Sequence, residues 1–269
     1  MHVPDGFIDL PVSIGAAVIA AGAVAVSLRG ARRELDERSA PLAGLVAVFV
    51  FAAQLMNFPV AGGTSGHLLG AVLAAVLVGP WTGALCVTVV LLVQGLVFAD
   101  GGITAIGVNV TDMAVIGLAA GYLVFLALRA VLPSTRAGVV VAAAGGAFAS
   151  VPAAAGGFVA CYALGGTSSV PVGTVFAAMV SVHLLIGIGE ALITAFTISS
   201  VIAVRPDLVH GAAGLRRPET LAVRPGGTAG TGPVTPEVPD DLRDPAGAPP
   251  TQDLAAGSRS APWSAEESR

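Results

Sequence analysis

The chain has no lysine: all 13 basic residues are arginine, and charged residues of both signs make up only 11% of 269. Soluble globular domains carry about a quarter charged residues, so this scarcity excludes an ordinary soluble enzyme, and no nucleic-acid partner is expected. Cysteine is equally sparse. Cys86 and Cys161 both lie inside apolar runs, which excludes a disulfide framework and a CxxC metal site. No GxxxxGK[ST] stretch occurs, so ATP binding of the P-loop kind is excluded. A cleavable signal peptide is also missing. The N-terminus has no positive region, and Asp5 and Asp9 precede the first apolar run, so the chain is expected to keep Met1.

What remains is apolar. Hydrophobic residues account for 55% of the chain and the mean hydropathy is +0.85, which describes an all-α, multi-pass membrane protein. A helix needs about 20 apolar residues to cross about 30 Å of hydrocarbon. Seven runs are candidates: 10–28, 41–58, 66–80, 81–99, 105–128, 137–164 and 173–204. The third is short enough to be re-entrant, and arginine placement decides the matter. Arg29, Arg32, Arg33 and Arg38 follow the first run, Arg129 and Arg136 the fifth, and Arg205, Arg216 and Arg217 the seventh. All three groups fall in the cytoplasm by the positive-inside rule if every run spans. The expectation is seven helices over 1–204, N-terminus outside, C-terminus cytoplasmic, with Pro152 kinking the sixth. From 205 to 269 the composition turns rich in proline and glycine, as in a disordered cytoplasmic tail.

The opening residues Met1-His2-Val3-Pro4-Asp5-Gly6 carry chemistry. A free terminal amine, the amide nitrogen of His2 and its ring nitrogen can close two fused rings on one metal ion. Planar nitrogen sets suit Ni(II) and Cu(II), and imidazole also suits Co(II) and Zn(II). The segment 1–9 lies outside in the expected topology, and the only other histidine on that face is His67, after a glycine-rich loop. His67 is either the fourth nitrogen ligand or a polar cap of the third helix. Asp100, in a second glycine-rich outer loop, either supports a ligand histidine or is merely solvated. Asp5, Asn57 and Thr64 are further candidates around the ion, Asp5 as a turn-former holding the segment.

Polar residues also fall inside the apolar runs: Gln54, Asn57, Gln94, Asn109, Asp112, His183 and Glu190. Intramembrane ionisable groups point to function by default. His183 and Glu190 share one helical face and form either an ion or proton path or a set of structural contacts. An ion-coupled secondary transporter using Asp112, His183 and Glu190 is the alternative function. A hydrolase built on Ser181 and His183 is disfavoured, because residues two apart on a helix face different ways.

Four stretches, MHVPDGF, SGHLLGA, ADGGITAIGVNV and HLLIGIGEALIT, together resemble the substrate-capture component of energy-coupling-factor cobalt/nickel transporters, the CbiM/NikM family. The resemblance covers about residues 1–204. It implies that Met1, His2 and His67 hold transported Co(II) or Ni(II), and that the chain has no prosthetic group and no catalytic residue. It further implies a transmembrane coupling subunit, two cytoplasmic ATPase subunits and, since no spanning run follows 204, a separate small accessory membrane protein if one is used. Under this reading metal affinity falls with pH, because bound nitrogens must give up their protons.

Overall fold

A computed structural model of the chain describes residues 1–37, 39–59 and 65–215. Arg38, the loop 60–64 with Thr64, and the segment 216–269 with Arg216 and Arg217 lie outside the described residues. Every expected apolar run contains a helix: α1 (Leu10–Glu34), α2 (Ser39–Gln54), α3 (Ala71–Val78), α4 (Pro80–Val97), α5 (Ile106–Asn109) continuing through a π segment (Val110–Gly117) into α6 (Leu118–Val131), α7 (Arg136–Gly165) and α8 (Val172–Val204). Helices dominate because hydrocarbon offers no partner for a free N–H or C=O. Five described spans, Leu10–Glu34, Pro80–Val97, Ile106–Val131, Arg136–Gly165 and Val172–Val204, are long and apolar enough to cross a membrane, and α2 is a shorter apolar helix.

The third run departs from a simple span. Its helix α3 has eight residues, about 12 Å at 1.5 Å per residue. Residues 65–70 ahead of it are not helical: Ser65–His67 (β2) pairs antiparallel with Asn57–Pro59 (β1), setting Asn57 opposite His67, and Gly70 takes a left-handed φ of +69°. Non-helical backbone at depth is tolerated where protein buries it and supplies its hydrogen bonds. Both conditions are met. All eight residues of α3 are buried, Gln54 Nε2 donates to the Leu69 carbonyl (2.8 Å), and the Glu190 carboxylate accepts from Leu69 N (2.8 Å) and Gly70 N (2.6 Å). A carboxylate at the start of a helix also opposes the positive end of the peptide dipoles.

Pro152 lies inside the unbroken α7. With no N–H of its own it leaves the Phe148 carbonyl without a helical donor, and Gly187 of α8 packs there so closely that a Cβ would come within 3.0 Å of that oxygen. At the end of the bundle away from Met1, the Glu34 carboxylate accepts from Thr82 N (2.7 Å) and Trp81 N (3.2 Å), tying α1 to the start of α4. The first residues of the expected tail are folded: Pro206–Leu208 and His210–Leu215 are short 3-10 turns, with Val209 and Ala212 buried. His210 belongs to these turns.

Candidate metal centre

The first nine residues are fastened along their length. Val3 N donates to Asn109 Oδ1 (2.8 Å) and Gly102 N donates to the Val3 carbonyl (2.8 Å). Asp5 Oδ1 accepts from Thr104 N (2.8 Å) and Thr104 Oγ1 (2.6 Å), and these bonds hold its carboxyl below the usual carboxylate range. Thr167 Oγ1 donates to the Gly6 carbonyl (2.7 Å), and Asp9 N to the Gly165 carbonyl (2.7 Å). The Phe7 ring packs on Phe158 and Tyr162 at centroid distances of 5.7 and 5.4 Å. Asp9 then caps α1 by accepting from Val12 N (3.0 Å).

The glycine-rich loop at 100–104 folds directly over this segment. Gly101 has φ +96°, and a Cβ there would sit 3.3 Å from His2 Cβ. A Cβ on Gly102 would collide with the Asp5 main chain. Both positions require a residue without a side chain.

The fastening buries the chain end: Met1 is 1% exposed and His2 5%. Burial lowers the pKa of the terminal amine from 8.0 to about 4, against the attraction of Asp100. At neutral pH the docked amine is therefore uncharged, with its lone pair available. The His67 Nδ1 donates to the Leu68 carbonyl (2.7 Å). A carbonyl only accepts, so the proton is on Nδ1 and the lone pair on Nε2. That Nε2 is buried without a partner, as is Nε2 of His2. The two rings stack with centroids 4.4 Å apart and planes at 22°. His2 Nδ1 lies 3.1 Å from Asp100 Oδ1, poorly aligned for a hydrogen bond. The nearby His2 ring, then Asn57 and the terminal amine, hold the Asp100 carboxyl below its ordinary value against partial burial.

The structure thus brings Met1, His2 and His67 together, with Asp100, Asn57 and Asn109 around them. Among the described residues no group of three or more His, Cys, Asp or Glu side chains is placed to hold a metal. An ion here would be held by main-chain nitrogen and imidazole together. Buried polar atoms without partners are rare in folded proteins and call for an explanation.

The residues of the alternative function are not assembled. No hydrogen bond or ion pair joins Asp112, His183 and Glu190 among the described residues. Asp112, on the π segment, meets Cys161 Sγ at 3.9 Å. Glu190 is occupied by Leu69 and Gly70. Ser181 turns its hydroxyl to the Ala177 carbonyl. Two roles escape a reading of the sequence: Asn109 as the clamp on Val3, and Glu190 as the clamp ahead of α3. The available signal was that each is an isolated polar residue in an apolar run; its partner lies more than a hundred residues away.

Comparison with known proteins places this architecture. Residues 2–208 match the family described as "Cobalt uptake substrate-specific transmembrane region", CbiM. A putative metal transport protein of Haloquadratum walsbyi is 39% identical over 213 residues, which is 78% of this chain and 93% of that protein. A putative fused nickel transport protein, NikMN, of Archaeoglobus fulgidus is 37% identical over 216 residues, 78% of this chain and 68% of that protein. A solved transition metal transporter superposes with a TM-score of 0.70 at 28% identity, covering 76% of this chain and 93% of its own. The chain belongs to the CbiM family of cobalt uptake substrate-specific transmembrane regions: it is a multi-pass membrane transport component and not an enzyme.

Proposed function

We propose that this chain is the substrate-capture component of an ATP-driven energy-coupling-factor importer for Co(II) or Ni(II), and that Met1, His2 and His67 hold the ion. The observation that carries the reading is the buried, neutral terminal amine beside His2 Nδ1 and His67 Nε2, both buried without a hydrogen-bond partner. The amine, the His2 amide nitrogen and His2 Nδ1 form the fused chelate, because only Nδ1 can close a small ring with the amide. His67 Nε2 is the fourth nitrogen. His2 Nδ1 faces Asp100, so capture exchanges that contact for the ion. Nitrogen donors in one plane, with the His2 amide deprotonated, suit Ni(II), and imidazole suits Co(II), in preference to hard cations.

Seven crossings with the N-terminus outside belong to the same proposal, since they put Met1 and His67 on the face where the ion arrives. The chain has no P-loop, so partner ATPases supply the energy through a transmembrane coupling subunit, with or without a separate small accessory protein. The deciding test compares metal content of the purified protein with that of a version carrying two extra residues before Met1, since a single one would move the histidine to position three and create a new amine–amide–imidazole chelate. The extension leaves every side chain in place but turns the amine into an amide. Loss of tightly bound Co(II) or Ni(II) is expected; equal metal in both would refute the N-terminal chelate.

A further inference from the structure

One polar atom near this centre has no use in the capture chelate. His183 is 0% exposed, and its Nδ1 lies 2.6 Å from the Met179 carbonyl oxygen one turn earlier on α8. The carbonyl accepts, so Nδ1 carries the proton and the lone pair is on Nε2, which is buried without a partner. An unpaired acceptor in an apolar bundle is expensive to keep, and such groups inside membrane segments mark ion paths.

The fold sets this nitrogen beside His67. Glu190, bonded to Leu69 and Gly70, follows His183 by two turns on the same face of α8, about 10 Å at 1.5 Å per residue. His67 precedes Leu69 by two extended residues, about 7 Å. Both segments run from the Met1 end inward, so His183 comes level with His67. Met1, Leu68 and Met179 belong to one buried cluster, and His183 interacts electrostatically with both His67 and the terminal amine.

We propose that His183 Nε2 is a metal ligand, forming with His67 Nε2 a two-imidazole position that receives a divalent transition-metal ion when the N-terminal chelate lets go. The inference rests on the reading of Met1, His2 and His67 as the capture site. Its logic is ligand exchange. Met1 and His2 sit on the segment that must release the ion, whereas His67 and His183 sit on the body of the bundle. With His67 shared by both positions, the ion is never stripped of all protein ligands. Two neutral imidazoles bind more weakly than an amide chelate, as a position that must pass its ion onward requires.

The test uses the full chain in detergent, with Co(II) alone as the probe, in the native form and with two residues added before Met1, which removes the chelate without placing the histidine at position three. The extended protein should keep one weak Co(II) site, at least tenfold weaker than the native protein's. H183Q should weaken that residual site at least tenfold further, while changing the native protein's affinity less than threefold. H183C in the extended protein, with Cys86 and Cys161 changed to Ala in both variant and parent, should instead create a thiolate-to-Co(II) charge-transfer band absent from that parent. No residual site, or a residual site indifferent to H183Q and without the new band in H183C, would overturn the proposal. Equal affinity of native and extended proteins would refute the capture chelate instead; His183 would then be judged by the H183C band alone, present or absent.

Discussion

Two polar clusters sit inside the same apolar bundle, and the fold treats them in opposite ways. Around Glu190 the carboxylate's account closes: both its oxygens accept main-chain N–H groups, and Gln54 Nε2 answers the Leu69 carbonyl, with Gln54 Oε1 left without a partner. Around Met1 it stays open, with three imidazole nitrogens, both of His2 and Nε2 of His67, buried without a hydrogen-bond partner beside an uncharged amine. A closed account holds structure; an open one leaves donors for something that arrives later. Buried polarity alone therefore does not distinguish site from scaffold, and the state of each atom's hydrogen bonding does.

The largest effect should come from emptying the open cluster. His67→Ala removes the only ligand that the body of the bundle gives to the capture site, and the Co(II) or Ni(II) affinity of the folded protein should fall at least a hundredfold. Titration by calorimetry checks it. A variant that binds within threefold of the parent would show that the stacked rings are only packing.

Glu190→Gln should do the reverse. The amide keeps one acceptor oxygen and turns N–H donors toward Leu69 N or Gly70 N, so a buried donor loses its partner at about 1–3 kcal/mol. The expected outcome is a melting temperature lower by several degrees, with metal affinity of the folded protein changed less than tenfold. Unchanged stability together with lost ion-driven transport would instead revive the carboxylate as part of an ion path.

These contrasts also explain what the sequence could tell. Long apolar runs announce their helices because a membrane leaves few alternatives. The meeting of Met1, His2 and His67 is legible for another reason: the first two residues are neighbours in the chain, and His67 is the one further histidine that the expected topology sets on their face. The short α3 is not legible. Its run looks like a small span, and its helix is limited to eight residues because the chain ahead of it is non-helical and held at Leu69 and Gly70 by Glu190 from another helix. Asn109 is hidden in the same way, its partner Val3 lying 106 positions away. Periodicity reports which face of an element is buried; it does not report which distant main-chain group a lone amide or carboxylate will meet.

Protons sharpen the comparison further. The docked amine has its pKa near 4, against 8.0 when free. Docking therefore expels a proton: its stability is complete above pH 8 and declines about tenfold per pH unit as pH falls from 8 toward 4. If the segment is docked before the ion arrives, only the amide proton is released on binding, one per ion at both pH 8.5 and pH 7. If it swings free first, the count rises toward two at pH 7, where the free amine is charged. Calorimetry in buffers of different ionisation enthalpy gives the number directly.

The smallest effect should separate the ligands from the group that faces them. Asp100 touches the ring nitrogen that the chelate needs, yet it is partly exposed and not itself a donor to the ion in this reading. Asp100→Asn keeps the shape and removes the charge, so two opposed consequences nearly cancel. Without the carboxylate's attraction the amine loses a proton more easily, which favours binding; without its negative charge the cation is less welcome, which opposes it. Charge interactions at a partly exposed site are screened, so the net change in Co(II) affinity should stay within about threefold to tenfold, with capture slowed more than release. A hundredfold loss would mean that the carboxylate itself coordinates the ion, and the set of donors would then extend beyond nitrogen.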